Sequence, residues 1–574
     1  MNNREIAETF DKIADLLEIK GEVIFKVLAY RRAAESLREL ASDVAGHHQQ
    51  AKLTEIPGVG KAIADKIDEL ISTGKLGFYE KLVQEVPETL VELLRVPDLG
   101  PKKAGLFWRE LGISTLSDLE SAAKSGKLRS LPGMGQKSEA KILAGLESLS
   151  RRTLRTPIGQ AWPVAQELLA KLRGVPGVQT VELAGSLRRM KATVGDIDLL
   201  AAAEDSHAVM DAFAQDPEVS RILSRGETKA SVEFRNGLRA QLWVHPPQRF
   251  GTALQYATGS KEHNVRLREL AQKQNLSLSD QAFLRVDGRE ILCADEQKVY
   301  ETLDLPWIPA ELREDRGEVQ AARQGNLPEL LELADIKGDL HAHSTWSDGK
   351  NSILEMAKAA RERGWNYMAV TDHSHSLGVA GGLSAEELLA QREEVEKAQT
   401  ELGDSIHIFH GVEMEIRADG SLDYPDEVLA GLDIVIAALH SGLRQPRQQV
   451  TERMLNAIRN PHVDIIAHPV GRLIPDREGA DLDLETIFKA AAEHGVVLEI
   501  NSDPRRLDLD DVHARRAIEM GVLLTVNSDA HSPAGYDLLQ FGVAMARRGW
   551  VKASQVTNTW DLEQLQGWLK KRVK

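Results

Sequence analysis

The sequence contains a single cysteine, Cys293, in 574 residues. One thiol excludes an intrachain disulfide framework and fits a reducing cytoplasm. It also excludes thiolate-rich zinc centres, so any bound metal must be held by histidine and carboxylate. Apolar runs are short as well. None approaches the ~18 residues of a membrane span, and the opening Met1-Asn2-Asn3-Arg4-Glu5-Ile6-Ala7-Glu8 begins an amphipathic helix without an apolar signal core. The third deficit is positive charge. A net charge of −16 argues against binding nucleic acid through the mean field.

The distribution of that charge changes its meaning. About −13 falls in residues 331–574 and about −3 in residues 1–330, and 12 of the 17 histidines share the acidic C-terminal part. Bound divalent cations would offset part of that acid. The near-neutral remainder can meet phosphates through local patches. The length predicts about three to five domains.

Residues 1–155 carry one turn three times: Ile56-Pro57-Gly58-Val59-Gly60, Val96-Pro97-Asp98-Leu99-Gly100 and Leu131-Pro132-Gly133-Met134-Gly135, at spacings of 40 and 35 residues. Each opens a predicted helix. Glycines there let backbone N–H groups point outward, which suits a phosphate. Asp98 weakens the second copy, because an acid repels phosphate. The pattern resembles the helix-hairpin-helix, which binds DNA backbone without sequence preference. Phe25–Arg32 with Lys61–Leu70 resembles the N-terminal lyase-type domain of family X DNA polymerases. That resemblance puts Lys66 at the position of a Schiff-base lysine; a solvated helix lysine is the competing reading.

Further on, Gly185-Ser186-Leu187-Arg188-Arg189 precedes Gly195-Asp196-Ile197-Asp198. Carboxylates at i and i+2 share one strand face, as a pair of Mg²⁺ ions requires. Gly-Ser upstream supplies donors for a triphosphate. The combination resembles the nucleotidyltransferase palm of family X polymerases. The resemblance implies that Asp196 and Asp198 are catalytic and bind Mg²⁺ or Mn²⁺. It implies that Gly185, Ser186, Arg189 and Gly195 lie against nucleotide phosphates. It extends to Tyr256-Ala257-Thr258-Gly259-Ser260 and on to Arg268, giving Tyr256, Gly259, Asn264 and Arg268 places on the nucleotide and template side.

One acid is missing. The hairpin Ser231–Val244 contains Asn236-Gly237, a two-residue turn signal, and the family's third catalytic aspartate falls at Gln241. An amide cannot accept the 3′-hydroxyl proton near neutral pH and is a poor Mg²⁺ ligand. A two-residue turn pairs Val232 with Gln241 and Glu233 with Ala240, which sends Glu233 to the opposite face. Polymerisation is therefore expected to be strongly impaired or absent.

From about residue 335 apolar runs alternate with amphipathic stretches, and ligand-type residues stand at the C-terminal ends of the runs. This predicts a parallel α/β barrel with its site on the top face. His341 and His343 sit at i and i+2, followed by Asp348, His373, Glu413, His440, His468, Asp529 and His531. The set resembles the metal site of the polymerase-and-histidinol-phosphatase (PHP) domain, with all nine positions filled. By resemblance, His341, His343, Glu413 and Asp529 hold one ion. Glu413, His440 and His468 hold a second, and Asp348, His373 and His531 a third. Mixed N/O ligands suit Zn²⁺, Mn²⁺ or Fe²⁺ alike. His341, His343, Glu413, His440 and Asp529 are then the catalytic core of a phosphoesterase. Arg472, after His468-Pro469, either grips a substrate phosphate or is a surface residue. The remaining histidines of this part are read as structural.

The resemblance covers nearly the whole chain and implies a bacterial-type family X DNA polymerase with a C-terminal PHP domain. The expected architecture is a helical helix-hairpin-helix region, an α+β palm with a thumb-like subdomain, and a distorted seven-stranded α/β barrel. Expected boundaries are 1–85 (lyase-like), 86–155 (helix-hairpin-helix), 156–248 (palm), 249–320 (nucleotide-binding subdomain), 321–335 (linker) and 336–574 (PHP). The leading function is DNA repair by a metal-dependent 3′→5′ exonuclease or phosphoesterase on gapped, nicked or 3′-ended DNA, in a cytoplasmic monomer without membrane contact. Two alternatives stay open: a gap-filling polymerase that uses dNTPs with the nuclease as end trimmer, and a small-molecule phosphatase of the histidinol phosphatase type.

Overall fold

The computed structural model describes residues 1, 3–38, 40, 43–96, 99–149 and 155–572. It divides into two compact units, Met1–Leu154 and Arg155–Lys574. Among the described residues no helix is long and apolar enough to cross a membrane.

The first unit is helical. Helix Asn3–Lys20 buries Ile6, Phe10, Ile13 and Leu17, a spacing that draws one apolar stripe along it. That stripe packs on helix Ile24–Arg38, where Phe10 meets Tyr30 edge to face at 5.5 Å. The first and third repeats form the same turn. Val59 N–H donates to the Ile56 carbonyl and Met134 N–H to the Leu131 carbonyl, at 3.1 and 3.0 Å. Gly58 and Gly133 have φ of +77° and +73°, a region closed to most side chains. Helices Lys61–Thr73 and Gln136–Leu149 follow. Pro97 and Asp98 of the second copy lie outside the described residues, although helix Pro101–Leu111 begins after Gly100 in the same way. A Cβ built on Gly60, Gly100 or Gly135 would meet nothing within 4 Å, so all three backbones face open space.

The second unit opens with a five-stranded sheet in the order Val178–Ala184, Ile197–Ala203, Arg239–His245, Lys229–Phe234, Val219–Arg225. The pair Ile197–Ala203 and Arg239–His245 is parallel and places Asp198 beside Gln241. Helices Phe250–Thr258 and Lys261–Lys273 follow.

The hairpin within this sheet departs from its expected register. Ser231 pairs with Gln241, Val232 with Ala240 and Glu233 with Arg239. Phe234 N–H donates to the Leu238 carbonyl, and Gly237 N–H to the Phe234 carbonyl. The loop is thus three residues, Arg235-Asn236-Gly237, with Gly237 at φ +83°, the turn-plus-bulge form of a hairpin. One extra loop residue flips every assignment, so Glu233 shares its face with Gln241.

The C-terminal part is a seven-stranded parallel sheet with its strands in chain order. Ala342 bridges Ala530 in parallel, just beyond the first and last strands, which brings the sheet nearly to closure. Strands Ile434–Ala438 and Val497–Asn501 are buried along their whole length, because the lumen is packed and helices cover the outside. One apolar cluster runs from the palm helix Ile158–Arg173 into the barrel, with Trp162 edge-on to Phe541 at 5.9 Å.

Candidate metal centre and palm site

The barrel strands deliver their ligands at one mouth. His341 and His343 follow strand Gly338–Asp339, His373 follows Tyr367–Val370, and Glu413 lies in His407–Glu415. His440 and His468 each stand two residues past their strands, and Asp529 and His531 follow Leu524–Asn527. All nine expected ligands converge there. Ligand atoms of His343, Asp348, His373 and His531 lie within 4.8 Å of one another, as do those of His341, His343 and Asp529 and those of His373, Glu413 and His440. His468 Nε2 is 2.8 Å from Glu413 Oε1. The grouping differs from the expected partition in two respects. His343 also reaches the Asp348 group, and His373 Nδ1 approaches Glu413 Oε2 at 2.9 Å.

The donor set fits divalent ions. Tetrahedral bonds of about 2.1 Å place neighbouring ligand atoms ~3.4 Å apart. The N···O separations among His341, His343, Glu413 and Asp529 are 3.1–3.6 Å. His341 Nε2 and Glu413 Oε2 are buried without a hydrogen-bond partner, an arrangement that is costly unless a cation satisfies them. Burial, then the neighbouring His373, pushes His343 down to about 4, so its imidazole is neutral and able to coordinate. Burial opposes the charge on Glu413, but His373, His440 and His341 hold its carboxyl well below the usual range. His468 and Asp529 have φ of +26° and +55°. Such backbone costs on the order of 1–3 kcal/mol per residue and is found at functional sites.

Several partners of these ligands carried no role in the sequence reading. Glu499 Oε1 lies 2.8 Å from His341 Nδ1 and Glu415 Oε2 lies 2.8 Å from His440 Nδ1. Each fixes the ring so that Nε2 faces the centre. Asn501 Nδ2 donates to Asp529 Oδ2 at 3.1 Å. The Arg506 guanidinium stands 3.7 Å from Asp529 Oδ2, and its buried Nη1 has no hydrogen-bond partner. The available signal was period-two alternation: Glu415 follows Glu413 by two residues, and Glu499 and Asn501 share a strand face. Arg472 donates to the Arg506 carbonyl at 2.6 Å and lines a cavity with Ser186 and Arg189.

In the palm, Asp196 and Asp198 stand side by side. Burial and then the charge of Asp196 push Asp198 up to about 7, as expected for two acids crowded together. Gln241 Nε2 donates to Asp196 Oδ2 at 3.1 Å, so the amide occupies the position beside both acids. Gly185 has φ +59°, and a Cβ there would collide with the Asp198 carboxylate, so only glycine fits. Gly195 has open space at its Cβ position. Arg189 Nε donates to Glu314 Oε1 at 3.0 Å, and a Cβ on Gly259 would stand 3.1 Å from Arg189 Nη1. Asn264 is buried; its Nδ2 donates to the Tyr256 carbonyl at 2.8 Å, and its side-chain oxygen accepts from Gln255. Tyr256 is half exposed, and Arg268 Nε donates to the Asn264 carbonyl. Lys66, in the other unit, is exposed; it donates to the Ala62 carbonyl at 3.1 Å and lies 5.4 Å from the Phe78 ring centroid.

Four family descriptions match the chain. They are a helix-hairpin-helix domain at residues 1–76, a SAM-like helix-hairpin-helix tandem at 90–148, a DNA polymerase beta thumb at 253–314 and a PHP domain at 339–503. The DNA polymerase/3′-5′ exonuclease PolX of Bacillus subtilis is 39% identical over 574 residues, covering 100% of both chains. A probable phosphatase of Thermoanaerobacter sp. (strain X514) is 32% identical over 246 residues, 41% of this chain and 94% of its own. Another, from Caldanaerobacter subterraneus, is 34% identical over 204 residues, 34% of this chain and 75% of its own. The full-length match, together with the helix-hairpin-helix, thumb and PHP assignments, shows that the chain belongs to the family X DNA polymerases that carry a C-terminal PHP domain.

Proposed function

We propose that this chain is a cytoplasmic DNA-repair enzyme whose barrel is a metal-dependent 3′→5′ exonuclease acting on gapped, nicked or 3′-ended DNA. The observation that carries this reading is the convergence of nine ligand-type side chains, with buried unpartnered atoms on His341 and Glu413 aimed at one another. Mn²⁺ or Zn²⁺ would be held by His341, His343, Glu413 and Asp529, by Glu413, His440 and His468, and by Asp348, His373 and His531. Bound ions there would supply Lewis-acid activation of a phosphodiester and of water.

The chain's own residues do the rest. Glu499 and Glu415 orient their histidines by accepting from Nδ1. Arg506, beside Asp529, is placed to hold a phosphate oxygen through its buried Nη1. In the other unit the open backbones of the repeated turns suit DNA phosphates. The full-length relative is named a DNA polymerase and exonuclease, which favours DNA over a metabolite as substrate.

For the palm, Asp196 and Asp198 would take Mg²⁺ or Mn²⁺, and Gln241 supplies no base, so we read polymerisation as impaired. A second reading, a working gap-filling polymerase, gains from the hairpin register, because Glu233 lies on the face of Gln241. Against it, the Glu233 carboxylate is 3.5 Å from Arg239 Nε, which holds it as an ion pair. The test is a labelled gapped duplex with Mn²⁺, with and without dNTPs. Shortening in both conditions supports the nuclease reading, net extension with dNTPs supports the polymerase, and neither outcome returns the barrel to the small-molecule phosphatases.

A further inference from the structure

The ligands at the barrel mouth are not held equally. The side chains of His341, His343 and Glu413 are 0–1% exposed and enclosed by the barrel. Those of Asp348 and His531 are 38% and 35% exposed. Asp348 also stands on a loop rather than at a strand end. Its Oδ1 lies 3.3 Å from His531 Nε2 and 3.6 Å from His373 Nε2, a geometry that something other than burial must maintain. Asp372 is placed to maintain it. This carboxylate is fully buried, directly before the ligand His373. Its Oδ1 accepts from the Ser344 and Ser347 N–H groups at 2.8 and 3.2 Å and from Ser347 Oγ at 2.5 Å. Its Oδ2 accepts from Ser344 Oγ at 2.6 Å and from Gln391 Nε2 at 2.5 Å. All of these donors except Gln391 belong to the segment just before Asp348, and hydrogen bonds to a carboxylate are among the strong ones. Gln391 comes from helix Ala385–Leu402, where its own oxygen lies 3.2 Å from His410 Nε2. The same helix pins the loop a second time, through Trp346 Nε1 donating to Glu394 Oε2 at 2.7 Å. Beyond Asp348, Gly349 N–H donates back to the Ser344 carbonyl at 3.0 Å. A Cβ there would stand 2.6 Å from the same carbonyl oxygen, so the loop closes tightly on both sides of the ligand.

We propose that Asp372 is the positioning residue of the outer ion: it shapes the loop Ser344–Asp348 against helix Ala385–Leu402 and so holds Asp348 within reach of His373 and His531, while the enclosed ligands stand without it. The inference rests on the reading that Asp348, His373 and His531 share an ion. Asp372 touches neither metal nor substrate in this role; it acts through Asp348. Asp372→Asn is the informative change. It keeps the volume but replaces one accepting oxygen by an NH₂ group, so at least two of the donors around it face another donor. The loss falls on the loop, because the enclosed ligands keep their own partners, Glu499 on His341 among them.

The test is equilibrium dialysis of the full chain against Mn²⁺, with bound metal counted by elemental analysis and folding checked by circular dichroism. Asp348→Ala identifies the outer ion as the one it loses. Asp372→Asn should raise the Kd of that ion about 10–100-fold, the scale for outer partners of metal ligands, and leave the other affinities at wild-type values. Ser347→Ala, a milder change at a half-buried position, should weaken the same ion, and Ser347→Thr, which keeps the hydroxyl, should restore it. If Asp372→Asn does not fold, the Ser347 pair decides. Wild-type Kd for every ion in Ser347→Ala and in folded Asp372→Asn overturns the proposal and leaves Asp372 a structural residue. Equal weakening of all ions overturns it too, because the effect then runs through the barrel as a whole. Should Asp348→Ala lose no ion, the shared-ion reading itself falls.

Discussion

His341 Nδ1 sits 2.8 Å from Glu499 Oε1 deep in the barrel, which turns the opposite ring nitrogen toward Glu413 and Asp529. The carboxylate thereby fixes the tautomer of a ligand whose coordinating atom has no other partner. Glu499→Gln keeps the shape but removes the charge. Outer partners of this kind are worth about 10–100-fold in metal affinity. A chelator-competition titration of Mn²⁺ should show a loss of that size with a parallel fall in nuclease rate. Wild-type affinity in the variant would remove Glu499 from the account.

Arg506 is predicted to act on substrate rather than on metal. Its guanidinium borders Asp529 with one buried nitrogen unpartnered. Arg506→Lys, which loses the planar fork, should raise KM for a 3′-ended duplex about ten-fold while bound metal stays the same. A loss of metal content with unchanged KM would assign it a structural role instead.

In the palm, Gln241→Asp should bring primer extension above that of the wild type with Mg²⁺ or Mn²⁺, because it restores a proton acceptor beside Asp196 and Asp198. Glu233→Gln discriminates the two readings. If the wild type extends primers robustly and Glu233→Gln abolishes this, Glu233 is the working third acid and the impairment ascribed to Gln241 is wrong.

Glu314 joins palm and barrel electrostatically. It accepts from Arg189 at 3.0 Å and Arg548 at 3.0 Å, with Lys191 at 3.5 Å. Burial opposes its charge, but Arg548, Arg189 and Lys191 together hold its carboxyl down at about 2. A depressed carboxyl stabilises the fold above its unfolded pKa of roughly 4.3, and that contribution is lost as pH falls toward 2. The shift corresponds to about 3 kcal/mol. Glu314→Ala leaves the buried Arg548 short of an acid and should cost about 3–5 kcal/mol at neutral pH, read as a lower urea midpoint for the second unit. A midpoint within experimental scatter of wild type would show that the network is solvated.

The ligand set was legible because each member follows a buried apolar run, so chemistry at the strand ends stood out against Val, Ile and Ala. Glu499 and Glu415 were not, because a carboxylate on a strand reads as alternation until its histidine, 158 or 25 residues away, is placed beside it. The hairpin shows the reverse error. Asn236-Gly237 signals a two-residue loop, yet Phe234 pairs across to Leu238 and puts Arg235 into the loop as well. That single residue moved Glu233 to the site face. Arg472 looked like a neighbour of the barrel ligands in sequence, but its side chain lines the cavity with Ser186 and Arg189, a proximity that only the packing of palm on barrel creates.

Phosphodiester hydrolysis at DNA ends by the barrel ligands is open to direct assay. The most direct measurement follows a 5′-labelled gapped duplex with Mn²⁺ and no dNTPs, comparing wild type with the double variant His341→Ala, His343→Ala. Stepwise 3′ shortening is expected of the wild type and its loss, by at least about a hundred-fold, of the variant, with DNA affinity unchanged because the repeated turns are intact. Shortening by the variant at the wild-type rate would contradict it.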